Sequence, residues 1–318
     1  MLLRNADLAM HLAKSEAQGN LVAFDPSIER QREARRAMES ALGRALDEQR
    51  FQLEYQPKFD LATGRLSGAE ALLRWSDPAF GKVPPDTFIP IAEQMGMITG
   101  IGAWVIDAAV RQVVDWRDNE GFSLQVAVDV SPLQLRCDNI VATLEQALQR
   151  HDLDPALLQI ELTESALLED DTQTHALMGR IAGLGCELAL DDFGTGYSAL
   201  GYLNRFPFDC LKLDRSFISG MLDNERDSAL TRTIISMAHT LGMRVGAEGV
   251  ELPGHRVALA AYGCDIAQGY LFSRPLPADE FRLFVASLPE ETGSGQPSKA
   301  GGPGSLASLA SSVRVITS

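Results

Sequence analysis

The chain has 318 residues, of which 45% are hydrophobic and 22% charged, ordinary values for a globular protein with a large core. Its formal net charge of −15 at pH 7 argues against binding to nucleic-acid polymers or anionic membranes, which requires a basic surface. No run approaches the roughly 18 consecutive apolar residues of a transmembrane helix, so we expect no membrane segment and a cytoplasmic location. The four cysteines are far apart, which favours reduced thiols over disulfides or a zinc site.

The two ends of the chain differ from its middle. Residues 28–49 are charged and helix-prone with an apolar residue every four positions, which predicts a linker helix. Residues 290–318 are rich in small and polar residues, which is typical of a disordered tail. We therefore place the main domain at 50–289 and a separate segment at 1–27.

Strand-like and helix-like segments alternate through the main domain. Apolar residues at helical spacing predict helices over 101–116 and 225–241. A short turn, LATGR, follows the first strand and predicts an antiparallel hairpin with the second. The predicted strands are 51–57, 66–75, 124–131, 157–163, 187–192, 209–213, 244–249 and 264–269.

These elements predict an α/β fold, a TIM-like (β/α)8 barrel whose first strand pair is antiparallel. The alternative is an open doubly wound sheet. That fold would carry a glycine-rich dinucleotide motif after an early strand, and the sequence has no such motif.

Each predicted strand carries a polar or charged residue at or near its end. A solvated rim explains any one of them alone. In a barrel, however, the carboxyl ends of the strands meet at one mouth, so we expect these side chains to converge. The set comprises Gln56, Glu70, Arg74, Asp129, Glu161, Asp191, Asp192, Lys212, Glu248 and Gln268.

The carboxylates of this set would repel one another, at about 4 kcal/mol per pair at 4 Å and an effective dielectric constant of 20. Oxygen ligands without histidine or cysteine predict hard cations, Mg²⁺ or Mn²⁺. An acidic two-metal site with a lysine and an arginine suits phosphodiester hydrolysis. The candidate ligands from separate strands are Glu70, Asp129, Glu161 and Asp191.

The order and spacing of several short strings resemble the EAL-domain family of cyclic di-GMP phosphodiesterases. The resemblance implies a TIM-like barrel, two divalent cations, a homodimer, and hydrolysis of cyclic di-GMP to linear pGpG. The strings are YQP (55–57), EALLRW (70–75), ELTES (161–165), DDFGTGYSAL (191–200), LKLD (211–214), AEGVE (247–251) and QGYLFSRPL (268–276).

The same resemblance implies metal and catalytic roles. Lys212 corresponds to a lysine that orients water, and Glu248 to a metal ligand or general base. Asp192 lies beside the second ion and completes a metal-binding set with Glu70, Asp129, Glu161 and Asp191. The family usually has asparagine where this chain has Asp129, so an oxygen ligand is kept while the site gains a negative charge.

Further positions correspond to substrate contacts and to a loop. Gln56, Arg74 and Gln268 match residues that contact substrate, with Arg74 directed toward phosphate. Glu164 matches the anchor of the loop 193–200, which the family ties to metal binding and dimerisation.

Residues 6–20 resemble the last helix of a GGDEF-type diguanylate cyclase domain, which makes 1–27 a remnant without cyclase activity. Alternatively, these N-terminal helices simply cap the barrel.

Two other functions stay open beside hydrolysis. The first is a catalytically weak or inactive EAL domain that acts as a receptor for cyclic di-GMP. The second is an interaction scaffold that uses the barrel only as a platform. The intact acidic residues and Lys212 favour the enzyme.

Overall fold

In the computed structural model, residues 26–52 and 74–98 form one compact unit. Residues 53–73 and the described residues from 99 to 289 form a second. The predicted segment 1–27, apart from its last two residues, and the predicted tail 290–318 lie outside the described part. The structure describes residues 26–136, 139–167, 172–194, 203 and 205–289.

The first unit is built from two helices and an aromatic cluster. Its helices are α1 (Pro26–Ala45) and α2 (Pro85–Gln94), and Leu42 of α1 is fully buried. The rings of Phe51, Trp75 and Phe88 pack with centroids 5.5 to 6.5 Å apart. A helix therefore forms where the sequence predicted one over 28–49, while its role as a linker stays a prediction.

The second unit contains eight strands, which are β1 (Phe51–Asp60), β2 (Leu66–Asp77), β4 (Gln125–Asp129), β5 (Leu158–Thr163), β6 (Glu187–Phe193), β7 (Cys210–Leu213), β8 (Arg244–Ala247) and β9 (Ile266–Ala267). They form a closed ring in the order β1-β9-β8-β7-β6-β5-β4-β2, with β2 returning to β1. Strand β1 runs antiparallel to β9, whereas the other seven strands are parallel to one another. The predicted barrel with its reversed first strand is confirmed, and so are all eight predicted strands.

The sequence pattern did not predict two short strands. Strand β3 (Gly81–Val83) pairs with the end of β2, and β10 (Leu276–Pro277) pairs with β1. Both have too few residues to show an alternation of polar and apolar side chains.

Helices follow most strands of the ring. Side-chain caps fix two helix starts, because Asp214 accepts a hydrogen bond from the Ser216 backbone N–H and Asn224 from that of Arg226. None of the described helices is both long and apolar enough to cross a membrane. The helices are α3 (Ile98–Asp115), α4 (Pro132–Arg136), α5 (Ile140–His151), α6 (Thr172–Gly183), α7 (Arg215–Ser219), α8 (Glu225–Thr240), α9 (Pro253–Ala261) and α10 (Ala278–Ser287), with shorter helical turns at Trp116–Glu120, Pro155–Leu157 and Glu164–Leu167.

Strand burial explains why the barrel could be predicted. Parallel strands covered on both faces form nearly continuous apolar runs, and the residues of β7 are all buried. Strand β1 alternates instead: Tyr55 and Phe59 pack against rings of the outer layer, Trp116 and Phe272, while Gln56 points to the other face. Polar side chains inside such strands therefore meet within the ring.

Candidate metal and catalytic site

The predicted site residues occupy three kinds of position on the strands. Asp129 ends β4, while Glu248 and Gln268 directly follow β8 and β9. Gln56 and Glu70 lie in the middle of β1 and β2, so the prediction of polar residues at or near the strand ends is wrong for these two. Strand β1 runs in the opposite direction, and β2 continues past the ring to pair with β3.

Lys212 lies at the centre of the site. Its side chain is 4% exposed, and its Nζ contacts carboxylates from four other strands or strand ends. The Nζ lies 2.6 Å from Glu248 Oε1 and 3.2 Å from Asp191 Oδ2. It also lies 3.4 Å from Glu70 Oε2 and forms its closest contact with Glu161 Oε2. One buried cation therefore joins four of the predicted acidic residues.

Glu161 has a fully buried side chain and contacts a second lysine. Lys58 Nζ donates to Glu161 Oε1 at 2.6 Å and to Gln159 Oε1 at 3.0 Å. Desolvation opposes the charge on Glu161, but Lys212 and Lys58 together keep its pKa below the ordinary value. Glu161 thus stays ionised inside the barrel.

The other acidic residues are less well compensated. Desolvation raises the pKa of Glu248 to about 8 and that of Asp191 to about 6, although Lys212 lowers both. Desolvation and the charges of Glu70 and Glu161 hold the pKa of Asp129 well above its usual range. The Asp129 side chain keeps solvent-accessible surface, yet the protein atoms around it displace much of the water that would hydrate its carboxylate. Burial is therefore the largest cause of these raised pKa values, and repulsion by neighbouring carboxylates adds to it.

Three of the acidic residues are arranged so that they can share one cation. Glu70, Asp129 and Glu161 each offer a carboxylate oxygen, and these oxygens lie within 4.8 Å of one another. Backbone register explains the arrangement, because Asp129 and Glu161 are paired residues of the parallel strands β4 and β5. All donors in this group are oxygens, which fits Mg²⁺ or Mn²⁺ and not zinc.

The adjacent pair Asp191 and Asp192 occupies the end of β6. Asp191 is buried beside Lys212, whereas Asp192 is half-buried and has a positive φ of 54°. The Asp192 N–H donates to Asp191 Oδ1 at 2.8 Å, which fixes the Asp191 side chain against the Asp192 backbone. This left-handed backbone conformation is uncommon for a residue other than glycine and costs free energy.

Two amide side chains border the acidic cluster. Gln268 Nε2 donates to Glu70 Oε2 at 2.7 Å and to Gln56 Oε1 at 2.8 Å. Gln56 in turn donates to the Ser273 carbonyl at 3.1 Å. The structure therefore brings both glutamines to the site, as predicted.

Glu164 contacts the loop that the sequence predicted, whereas Arg74 lies in the other compact unit. Glu164 Oε2 accepts a hydrogen bond from the Gly194 N–H at 3.2 Å, so Glu164 does contact the start of the loop 193–200. The rest of that loop lies outside the described residues. Arg74 is half-buried and belongs to the first compact unit, whereas the other candidates belong to the second.

Sequence reasoning missed Lys58 and Gln159. Lys58 lies two residues after Gln56 on β1, and Gln159 lies two residues before Glu161 on β5. Side chains two residues apart on a strand share a face, so the chosen residues already indicated these neighbours.

A family model described as EAL domain matches residues 39–275, which is most of the chain. The chain belongs to the EAL domain family. The described ring of strands and its acidic cluster are thus those of an EAL domain.

Two curated relatives illustrate the similarity of this EAL domain to larger proteins. It is 37% identical over 285 residues to the bifunctional diguanylate cyclase/cyclic di-GMP phosphodiesterase MucR of Pseudomonas aeruginosa, covering 90% of this chain and 42% of MucR. It is 38% identical over 280 residues to the cyclic di-GMP phosphodiesterase PdeR of Escherichia coli, covering 88% of this chain and 42% of PdeR. The chain therefore spans less than half of the length of either relative.

A solved structure described as the PaMucR phosphodiesterase in complex with c-di-GMP has the same fold. It aligns with a TM-score of 0.74 and 38% sequence identity, over 77% of this chain and 99% of that one.

Replacing Gly194 with alanine tests the geometry of the turn after β6. Gly194 has a φ of 91°, and a Cβ added there lies 2.4 Å from the Phe217 ring. We expect Gly194→Ala to lower the free energy of unfolding by about 1–3 kcal/mol, measured by urea denaturation. Gly179→Ala is the control, because Gly179 lies in α6 with no neighbour within 4 Å. Helix propensity predicts that this variant is more stable by about 0.5–1 kcal/mol. Equal stabilities of the two variants would contradict the described turn.

Proposed function

We propose that this EAL domain hydrolyses cyclic di-GMP to linear pGpG with the help of two Mg²⁺ or Mn²⁺ ions. The observation that carries the proposal is the group of carboxylates around Lys212, in a chain whose relatives are named cyclic di-GMP phosphodiesterases. A domain that served only as a scaffold would have no need to hold this much charge in its interior.

The acidic residues are proposed to hold the two ions. Glu70, Asp129 and Glu161 present neighbouring oxygens, and Asp191 and Asp192 extend the same cluster. When bound, such ions polarise the phosphodiester group and make a water molecule easier to deprotonate. Their positive charge also offsets the desolvation and the carboxylate repulsion that raise the pKa values of Asp129 and Asp191.

Lys212 and Glu248 are proposed to handle the attacking water. Glu248 is half-buried and its pKa of about 8 is close to neutral pH, which suits a group that accepts and returns a proton. Lys212 contacts Glu248 at 2.6 Å, so it can orient both this carboxylate and a nearby water. The ion pair fixes the positions of Lys212 and Glu248 relative to each other, so the two residues together activate water better than either one alone.

Substrate contacts are proposed for the polar residues at the border of the cluster. Gln56 and Gln268 offer amide groups beside Glu70. For Arg74, a contact with phosphate is proposed from the family resemblance alone. The receptor function is the weaker alternative, because the structure brings the predicted acids and Lys212 together.

The proposal includes a cytoplasmic location and a homodimer. The three described cysteines, Cys186, Cys210 and Cys264, are free thiols, which suits a reducing compartment. The dimer through the face that carries the loop 193–200 stays a prediction from family resemblance, since most of this loop is outside the described residues.

Incubation with cyclic di-GMP and Mn²⁺, followed by chromatography of the products, tests the function. We expect conversion to pGpG, loss of conversion with a chelator, and recovery when Mn²⁺ is restored. Glu248→Gln should lower turnover by about 100-fold or more, because it removes the proposed proton acceptor. Its melting temperature should not fall, because one of several mutually repelling carboxylates is removed.

The matched control is Glu225→Gln, which makes the same change at an exposed residue in the first turn of α8. Its turnover should equal that of the unmodified protein. Binding of cyclic di-GMP without product would favour the receptor, whereas full turnover by Glu248→Gln would remove Glu248 from the mechanism.

Asp129→Asn tests the extra charge of this chain. The variant keeps an oxygen ligand but removes one negative charge, so we expect Mn²⁺ to bind about tenfold more weakly, a change of about 1.4 kcal/mol. Turnover at saturating Mn²⁺ should be equal or higher, because less ligand charge leaves the ions stronger Lewis acids. Asp129→Ala should bind Mn²⁺ more weakly still. Three superimposable Mn²⁺ titrations would show that Asp129 is not a ligand.

A further inference from the structure

Lys58 is a buried lysine whose contacts the proposed mechanism does not use. It lies on β1, the one reversed strand of the ring, and its side chain is 9% exposed. Its Nζ donates to Glu161 Oε1 at 2.6 Å and to Gln159 Oε1 at 3.0 Å. The cost of burying an ammonium group is thus met by one carboxylate and one amide oxygen.

The two oxygens of Glu161 are divided between two lysines. Lys58 contacts Oε1, and Lys212 contacts Oε2. The Glu161 side chain has no exposed surface, so its oxygens depend on protein partners for their orientation. Since each lysine reaches the carboxylate from a different strand, together they fix the rotation of the carboxylate plane.

Strand β1 is itself held at this point. Ser67 of β2 donates to the Lys58 carbonyl oxygen at 3.0 Å. Gln159, the second partner of Lys58, donates to Glu187 Oε1 at 3.3 Å. Hydrogen bonds therefore fix both the backbone of Lys58 and the Gln159 side chain that its Nζ contacts.

We propose that Lys58 is a positioning residue, which holds Glu161 by Oε1 and so keeps its Oε2 directed toward Lys212. This inference rests on the proposed role of Glu161 as a metal ligand. One oxygen of Glu161 lies within 4.8 Å of an oxygen of Glu70 and of Asp129. Without Lys58 the carboxylate is free to turn, and its oxygens then lose this fixed position relative to Glu70 and Asp129.

The positive charge of Lys58 has a second effect, which weakens Mn²⁺ binding and can be measured separately from positioning. A cation near the cluster repels Mn²⁺ through space, whether residue 161 is a glutamate or a glutamine. The positioning effect, in contrast, needs the Glu161 carboxylate. A double-mutant cycle between the two residues therefore separates positioning from simple charge.

The experiment measures the Kd of Mn²⁺ by isothermal titration calorimetry without substrate. Four proteins are compared: the unmodified chain, Lys58→Met, Glu161→Gln and the double variant. Lys58→Met should raise the Kd at least tenfold when Glu161 is present, as loss of a residue that orients a ligand does. In the Glu161→Gln background the same change should leave the Kd unchanged or lower it, because only the repulsion between Lys58 and Mn²⁺ is removed. A smaller effect in the first comparison, or equal effects in both, would overturn the proposal.

Two controls keep the result interpretable. Lys82→Met makes the same change at an exposed lysine of β3, so it also removes one positive charge. It should change the Kd less than twofold. If Lys58→Met does not give folded protein by circular dichroism, Lys58→Gln is judged by the same criterion. Glu161→Gln alone tests the proposed metal role separately, because an unchanged Kd in that variant shows that Glu161 is not a ligand.

Discussion

Repulsion among buried carboxylates is the constraint on which this barrel depends. Lys212 contacts four of them, and Lys58 is a second buried cation beside Glu161. At about 4 Å and an effective dielectric constant of 20, each like-charged pair costs about 4 kcal/mol. Such a cluster is costly for folding, so its arrangement is best explained by the cations that we propose it binds. Burial and neighbouring carboxylates raise the pKa values of Asp191 and Glu248, although Lys212 lowers both.

The ring of strands explains how residues far apart in sequence reach this cluster. Parallel register sets Asp129 beside Glu161 and Thr163 beside Asp191, so neighbouring strands deliver their acidic residues to one end. The reversed strand β1 enters from the other direction. It therefore supplies Gln56 and Lys58 from its middle, where a parallel strand would have apolar residues.

The sequence predicted the barrel because its strands are apolar runs interrupted by single polar residues. The same interruptions identified Glu161 and Lys212, whose neighbours in the chain are buried. Lys58 was not predicted as a site residue because it follows Pro57 near the middle of a long strand and not at a strand end. Its partner is 103 residues away, and contacts at that separation depend on which strands adjoin in the closed ring. The division into two compact units was also not predicted, since β1 and β2 each contribute to both.

Anomalous diffraction from crystals grown with Mn²⁺ tests the central claim most directly. If the acidic cluster holds the catalytic ions, two manganese peaks lie inside the ring. One should lie within coordination distance of Glu70, Asp129 and Glu161, and the other beside Asp191 and Asp192. Both should disappear when crystals are grown with a chelator in place of the metal. Manganese bound only at the protein surface, with these carboxylates contacting just Lys212 and Lys58, would contradict the account.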